Sequence, residues 1–201
     1  MAKTGQIGLD NLHIALREND ENIKADTTLK IAGLVTADVE IDMYSESLYA
    51  DDVVADVVNG FSEGTVTVEL LGLSLDEYAK ITGQEIVKGV VVDNVNVVAP
   101  ELAMTFRSLK SNNKYRYVSI PKVKANVKGE SFKTREDGVE VVNAEIEFNI
   151  IPLENGTWRV RADEDGKDVD AAFIKGFLTS FPQSATTVSS LSKASKKEVV
   201  A

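Results

Sequence analysis

The 201-residue sequence contains no cysteine, one histidine, one tryptophan and four prolines. Without cysteine there are no disulfides, thiolate metal ligands or Cys nucleophiles, so packing and pairing alone must hold the fold, as suits a reducing compartment. One histidine, His13, is too few for a His-based metal site. No G-x-S-x-G elbow gives it a serine to activate, so between Leu12 and Ile14 it reads as a solvent-facing strand residue. Residues 1–8 have no apolar core of the kind a secretion signal carries, and no run of about 18 apolar residues could span a bilayer. The expectation is a soluble protein made in the cytoplasm, with no membrane partner.

Other chemistries fail on spacing. Gly5-x-x-Gly8 precedes a strand rather than a helix and lacks the glycine pattern of a dinucleotide or phosphate loop. Asp163-Glu164-Asp165-Gly166, aligned as a calcium loop, puts Arg161 and Ala172 at the two ligand-bearing ends, so it reads as a turn into the last helix. Asp51, Asp52 and Asp56 are three acids in a polar loop, a pattern that is ordinarily just solvated. No catalytic residue, metal or cofactor is expected, and the chain reads as a non-enzyme.

What the sequence does contain is charge of two signs, kept apart. The net charge is -10, yet residues 102–129 hold seven cations and no acid: Arg107, Lys110, Lys114, Arg116, Lys122, Lys124 and Lys128. Elsewhere 15 Lys and Arg face 32 Asp and Glu. Such a chain can meet an outside polyanion or the acidic part of another copy of itself.

Period-two alternation between turn residues dominates and predicts half-buried antiparallel strands near 8–16, 28–35, 37–42, 64–72, 88–98, 102–109, 114–123, 139–151 and 157–162. The 139–151 strand shifts register near Val142 and Asn143, which predicts a bulge. Ser74-Leu75-Asp76-Glu77 is a capping box and Gly83 the C′ residue of a short helix. A second helix over about 168–181 gathers Val169, Ala172, Phe173, Gly176 and Phe177 on one face, to lie against a sheet, with Asp168 or Asp170 at its positive end. Residues 182–201 are too poor in large side chains to offset their ordering entropy and are expected to form a flexible tail after a single domain, 1–181. Residues 44–63 carry Tyr, Leu, Val and Phe among acids without a strand period. They either order against a partner as an assembly loop or form a helical turn over 52–59 packed on their own core.

Around Ser111-Asn112-Asn113 the cationic stretch forms a hairpin, with Lys114 and Arg116 on one face and Tyr115 and Tyr117 on the other. Aromatic and basic residues interleaved in this way also serve single-strand nucleic-acid binders, so a nucleic-acid-binding β module using 102–129 is the alternative to tyrosines in the core and solvated cations. A carbohydrate-binding sandwich is a weaker rival.

F-R-S-L-K-S-N-N-K-Y-R-Y-V over 106–118 resembles a stretch in the major tail proteins, or tail tube proteins, of long non-contractile-tailed bacteriophages of Gram-positive hosts. G-x-x-x-L-x-I-A at 8–15, S-E-S-L-Y-A-D-D at 45–52, L-S-L-D-E-Y-A at 73–79 and W-R-V-R-A-D-E-D at 158–165, followed by D-V-D-A-A, match in the same order. The likeness runs to about Phe181 and is weakest over 123–142. It implies a mainly β, antiparallel sandwich or barrel-like fold with a flanking helix and a short second helix. It further implies stacked, usually hexameric rings forming the hollow tail tube of the virion, built around a tape measure protein and joined to tail terminator and distal tail proteins. DNA then only passes through the lumen. Ring and stack contacts are heterologous, each joining two different patches. The acids Glu46, Asp51, Asp52 and Asp56 against the cations Arg107, Lys110, Lys114 and Arg116 are the expected inter-subunit pair.

Overall fold

The computed structural model describes residues 4–126, 134, 143–167 and 169–183. Lys128, the 139–142 start of one expected strand with its register shift, Asp168 and the tail from 184 onward lie outside the described residues. The elements run β1 (Gln6–Leu16), β2 (Leu29–Ile31), β3 (Leu34–Ala50), β4 (Val53–Leu70), α1 (Leu75–Thr82), β5 (Glu85–Val87), β6 (Val90–Val92), β7 (Glu101–Lys110), β8 (Tyr115–Asn126), β9 (Ala144–Ile150), β10 (Val160–Asp163) and α2 (Ala171–Ser180).

The antiparallel sheet has the order β2-β1-β7-β8-β9-β4-β3. One side of β8 is shared: Val123–Asn126 pair with β9, and Arg116–Ser119 with β10. The sheet curls until β1 touches β3, although these strands do not join as a ladder. Alternation then sends one set of side chains inward, including Leu12, Val66, Met104, Phe106, Ile120 and Phe148, all buried. The fold is thus mainly β and barrel-like with its edges unjoined.

The outer face of β7 and β8 is covered by α2. Tyr117 packs its ring 5.5 Å from that of Phe177, and Phe173 and Ile174 complete this second core. Ala172 is exposed and Ile174 buried, which turns the helix slightly from the expected face. Asp170 caps the helix by accepting from the Ala172 amide. Beyond it, Phe181 fills a spot over Ala15 and Ala103, where only small side chains leave room. Thr105 Oγ1 and Ser119 Oγ donate to the carbonyls of Leu178 and Pro182, so the polar positions of this outer face hold the end of the helix down.

α1 follows its sequence signals: both halves of the capping box form, and Gly83 takes φ 78°. The segment expected as one strand over 88–98 is instead a small hairpin, β5 and β6, followed by a loop. Lys88 and Gly89 both adopt positive φ and make its two-residue turn.

Candidate functional site

Beyond the last residues paired to β9, β3 and β4 leave the sheet together as a two-stranded arm. Pairing continues through Met43 and Phe61 to Ala50 and Val53. The turn is Asp51-Asp52 with φ 54° and 62°, the left-handed pair that a tight two-residue hairpin needs and that aspartate tolerates. This corrects the reading of 44–63: the segment is a pair of antiparallel strands, not a helical turn over 52–59. Both faces of the ribbon are exposed, so no buried face imposes alternation on its sequence, and β4 carries an extra residue at each of the register shifts between Asp42 and Met43 and between Leu48 and Tyr49. With about nine residues per strand at about 3.3 Å each, the arm extends roughly 25–30 Å.

The arm has no core of its own. Met43, Tyr44, Leu48, Tyr49, Val53, Val54, Val57 and Val58 are all exposed, Tyr49 to 71%. Gly60 lies directly across from Tyr44, whose ring would overlap any Cβ placed there, so the ring is laid flat over the glycine. At the root, Phe61 packs on Trp158 with ring centroids 5.6 Å apart and ties the arm to the main core. An isolated two-strand ribbon is only marginally stable in water. Covering the part of each such side chain that is still exposed would contribute about 1–2 kcal/mol, which makes the arm a surface with much to gain from a partner. A second, smaller apolar surface is formed by Val87, Val90 and Val92 on β5 and β6, with Val95 almost wholly exposed in the loop beyond.

The structure places the four expected cations on the β7–β8 hairpin, whose turn has the expected form with Asn113 at φ 61°. It brings them to acids of the same chain. Arg107 is bidentate on Asp10, at 2.5 and 3.0 Å, and lies 3.9 Å over the Tyr115 ring. Arg116 is bidentate on Asp163, at 2.6 and 2.8 Å. Lys110, its side chain 3% accessible, meets Asp165 and Asp163, and Lys114 meets Glu164 at 3.0 Å. Lys122 and Lys124 reach Glu101, and Lys122 also reaches Asp20. Every described cation of the acid-free stretch therefore has an acid partner within the chain.

The titration of these groups follows from that geometry. Hydrogen bonds from Arg107, Arg116 and Lys110 respectively hold Asp10, Asp163 and Asp165 below the ordinary carboxylate value. Glu164 is lowered first by the Tyr115 amide and then by Lys114. Burial works against the charge on Lys110, but the bonds and charges of Asp165 and Asp163 outweigh it and raise its pKa.

Glu46, Asp51, Asp52 and Asp56 sit on the arm, and none forms an ion pair with a described residue of the chain. Asp56 accepts from the Val57 amide. Among the described residues no group of three or more His, Asp or Glu side chains could hold a metal ion. His13, half-buried on β1, has its Nδ1 3.1 Å from the Asn11 carbonyl oxygen. The platform needed for base stacking is largely covered: Tyr117 is buried beneath α2, and Tyr115 lies under Arg107. An open hollow of about 170 Å³ between β1, β2 and α1 is lined by Ile14, Leu29, Ile81 and Leu102 with Asp26 and Lys80 at its polar side. It is smaller than ordinary small-molecule sites. Among the described residues, no helix is long and apolar enough to cross a membrane. No family model matches the chain, and no curated protein matches its sequence.

Sequence reasoning missed the arm and the valine hairpin as shapes. The available signal for the hairpin was Lys88-Gly89 between two short β-branched runs. For the arm it was Asp51-Asp52 flanked by apolar residues on both sides.

Proposed function

We propose that this protein is a structural subunit, not an enzyme, which assembles copy on copy through its arm into a tube of the kind that the tail-tube resemblance implies. The observation that carries the reading is the β3–β4 arm, a contiguous ribbon of eight exposed large apolar residues projecting from a barrel that has its own buried core. A monomer in water gains nothing from such a ribbon, whereas a lattice of identical copies covers it at every contact. In this reading the rings stack around a tape measure protein, end on terminator and distal tail proteins, and let DNA through the lumen of the virion's tail. The acidic balance of the chain suits such a lumen, because like charge keeps phosphate from adhering to the wall.

The test is to replace residues 44–60 by a two-residue Asn-Gly turn and examine the concentrated protein by negative-stain electron microscopy. The wild type is expected to form regular rings or tubes, and the shortened chain to stay monomeric with an unchanged circular dichroism spectrum per strand residue retained. A wild type that remains monomeric at high concentration sinks the proposal.

A further inference from the structure

With the β7–β8 cations paired inside the chain, the acids of the arm call for a different counterpart. Among the described arginines, Arg107 and Arg116 hold carboxylates, and Arg17 is buried on the carbonyls of Pro121 and Asn19. The side chains of Arg159 and Arg161 form no ion pair or hydrogen bond with a described residue. Val160 and Ala162, between and beside them, pack under α2, so alternation sends Arg161 to the opposite side of β10. Arg159 is stacked 4.3 Å over the Trp158 ring. Stacking fixes a guanidinium by its face and leaves its N–H edge free for a carboxylate. Burial and the neighbouring charge of Arg161 both act against the charge on Arg159, the condition of a cation pair that lacks its anion.

We infer that Arg159 and Arg161, with the Trp158 ring beneath Arg159, form the seat for the Asp51-Asp52 tip of the arm of a second copy. This rests on the self-assembly reading above. Two adjacent carboxylates at a tight two-residue turn would meet two neighbouring arginines, and neither set is paired with an opposite charge among the described residues. The seat and the tip lie on different parts of the molecule, so the contact is heterologous and repeats from copy to copy. The seat also touches the root of the receiving copy's own arm, because Trp158 packs on Phe61. A tip that settles on Arg159 thereby steadies the ring against which the next arm is rooted.

The experiment compares sedimentable assembly of the full chain against protein concentration for the wild type, Arg159→Glu with Arg161→Glu, Asp51→Arg with Asp52→Arg, and the four-fold swap. Each double reversal is expected to raise the concentration needed for assembly by roughly tenfold or more. The swap is expected to recover most of that loss, and a swap that recovers none, with circular dichroism showing every variant folded, overturns the inference. A wild type that assembles alongside an arginine reversal that assembles equally well also overturns it and leaves the self-assembly reading standing. Failure of the wild type to assemble removes both. An arginine reversal that assembles normally but no longer binds a single-stranded oligonucleotide that the wild type retains gives the seat to nucleic acid instead.

Discussion

Arg107 is expected from the sequence as a cation offered to a neighbouring copy, and the structure gives it an acid in its own chain. Its bidentate bond to Asp10 is a direct cross-strand pair between β1 and β7, and the Tyr115 ring supports the guanidinium from one side. Reversal of Arg107 to Glu places two carboxylates opposite each other and is expected to lower the unfolding free energy by about 1 kcal/mol, the scale of a partly exposed pair. Asp10→Arg in the same chain should restore most of this in urea unfolding, whereas reversal of Asp51 and Asp52 should restore none. Restoration by the arm acids alone would return Arg107 to the interface. The partner could not be read from the sequence because Asp10 lies 97 residues away, and only the pairing of β1 with β7 makes them neighbours. The seven cations, by contrast, were plain in the chain, and so was their shared hairpin.

At the level of elements, legibility followed locality. α1 needs only residues within one turn: Ser74 accepts from the Glu77 amide, Glu77 accepts from the Ser74 amide, and Gly83 closes the end. α2 was legible in extent, since Phe173 and Phe177 are one helical turn apart, but its burial also depends on where the sheet beneath it lies. Phe177 is fully buried against Tyr117, so Phe177→Ala should cost about 3–5 kcal/mol in chemical denaturation and loosen the chain through Phe181 from the sheet. A loss below 1 kcal/mol would mean that α2 contributes little to the fold. The arm was illegible as a pair of strands for a different reason. With both of its faces exposed it has no buried side to impose the alternation that identifies a strand, and the pairing of β3 with β4 supplies what the local pattern does not.

For the whole molecule, the ion pairs link stability to pH. Asp10, Asp20, Asp163, Glu164 and Asp165 are all held below their ordinary values by their partners, chiefly Arg107, Lys122, Arg116, the Tyr115 amide and Lys110. Groups lowered in the folded state stabilise it fully above the unfolded values of 3.8 for Asp and 4.5 for Glu, and that contribution is lost as pH falls below them. The thermal midpoint is expected to stay nearly flat from pH 7 to about 5 and then to drop steeply, with Arg116→Gln and Lys110→Met making the drop shallower. An equally steep fall in those variants would assign the acid sensitivity to other carboxylates.

The sequence by itself determined that the protein is built of antiparallel strands with two helices, where the short helix α1 caps, and that its charge is divided between an acid-free hairpin and an acidic remainder. These properties depend on alternation, capping and turn chemistry, which act over a few residues. Tertiary structure alone decided which acids meet those cations, that β8 divides one side between β9 and β10, and that residues 43–61 leave the barrel as an arm. Each of those depends on strand pairing between segments distant in the chain, where one shift of register reverses which side chains face the core and which remain outside.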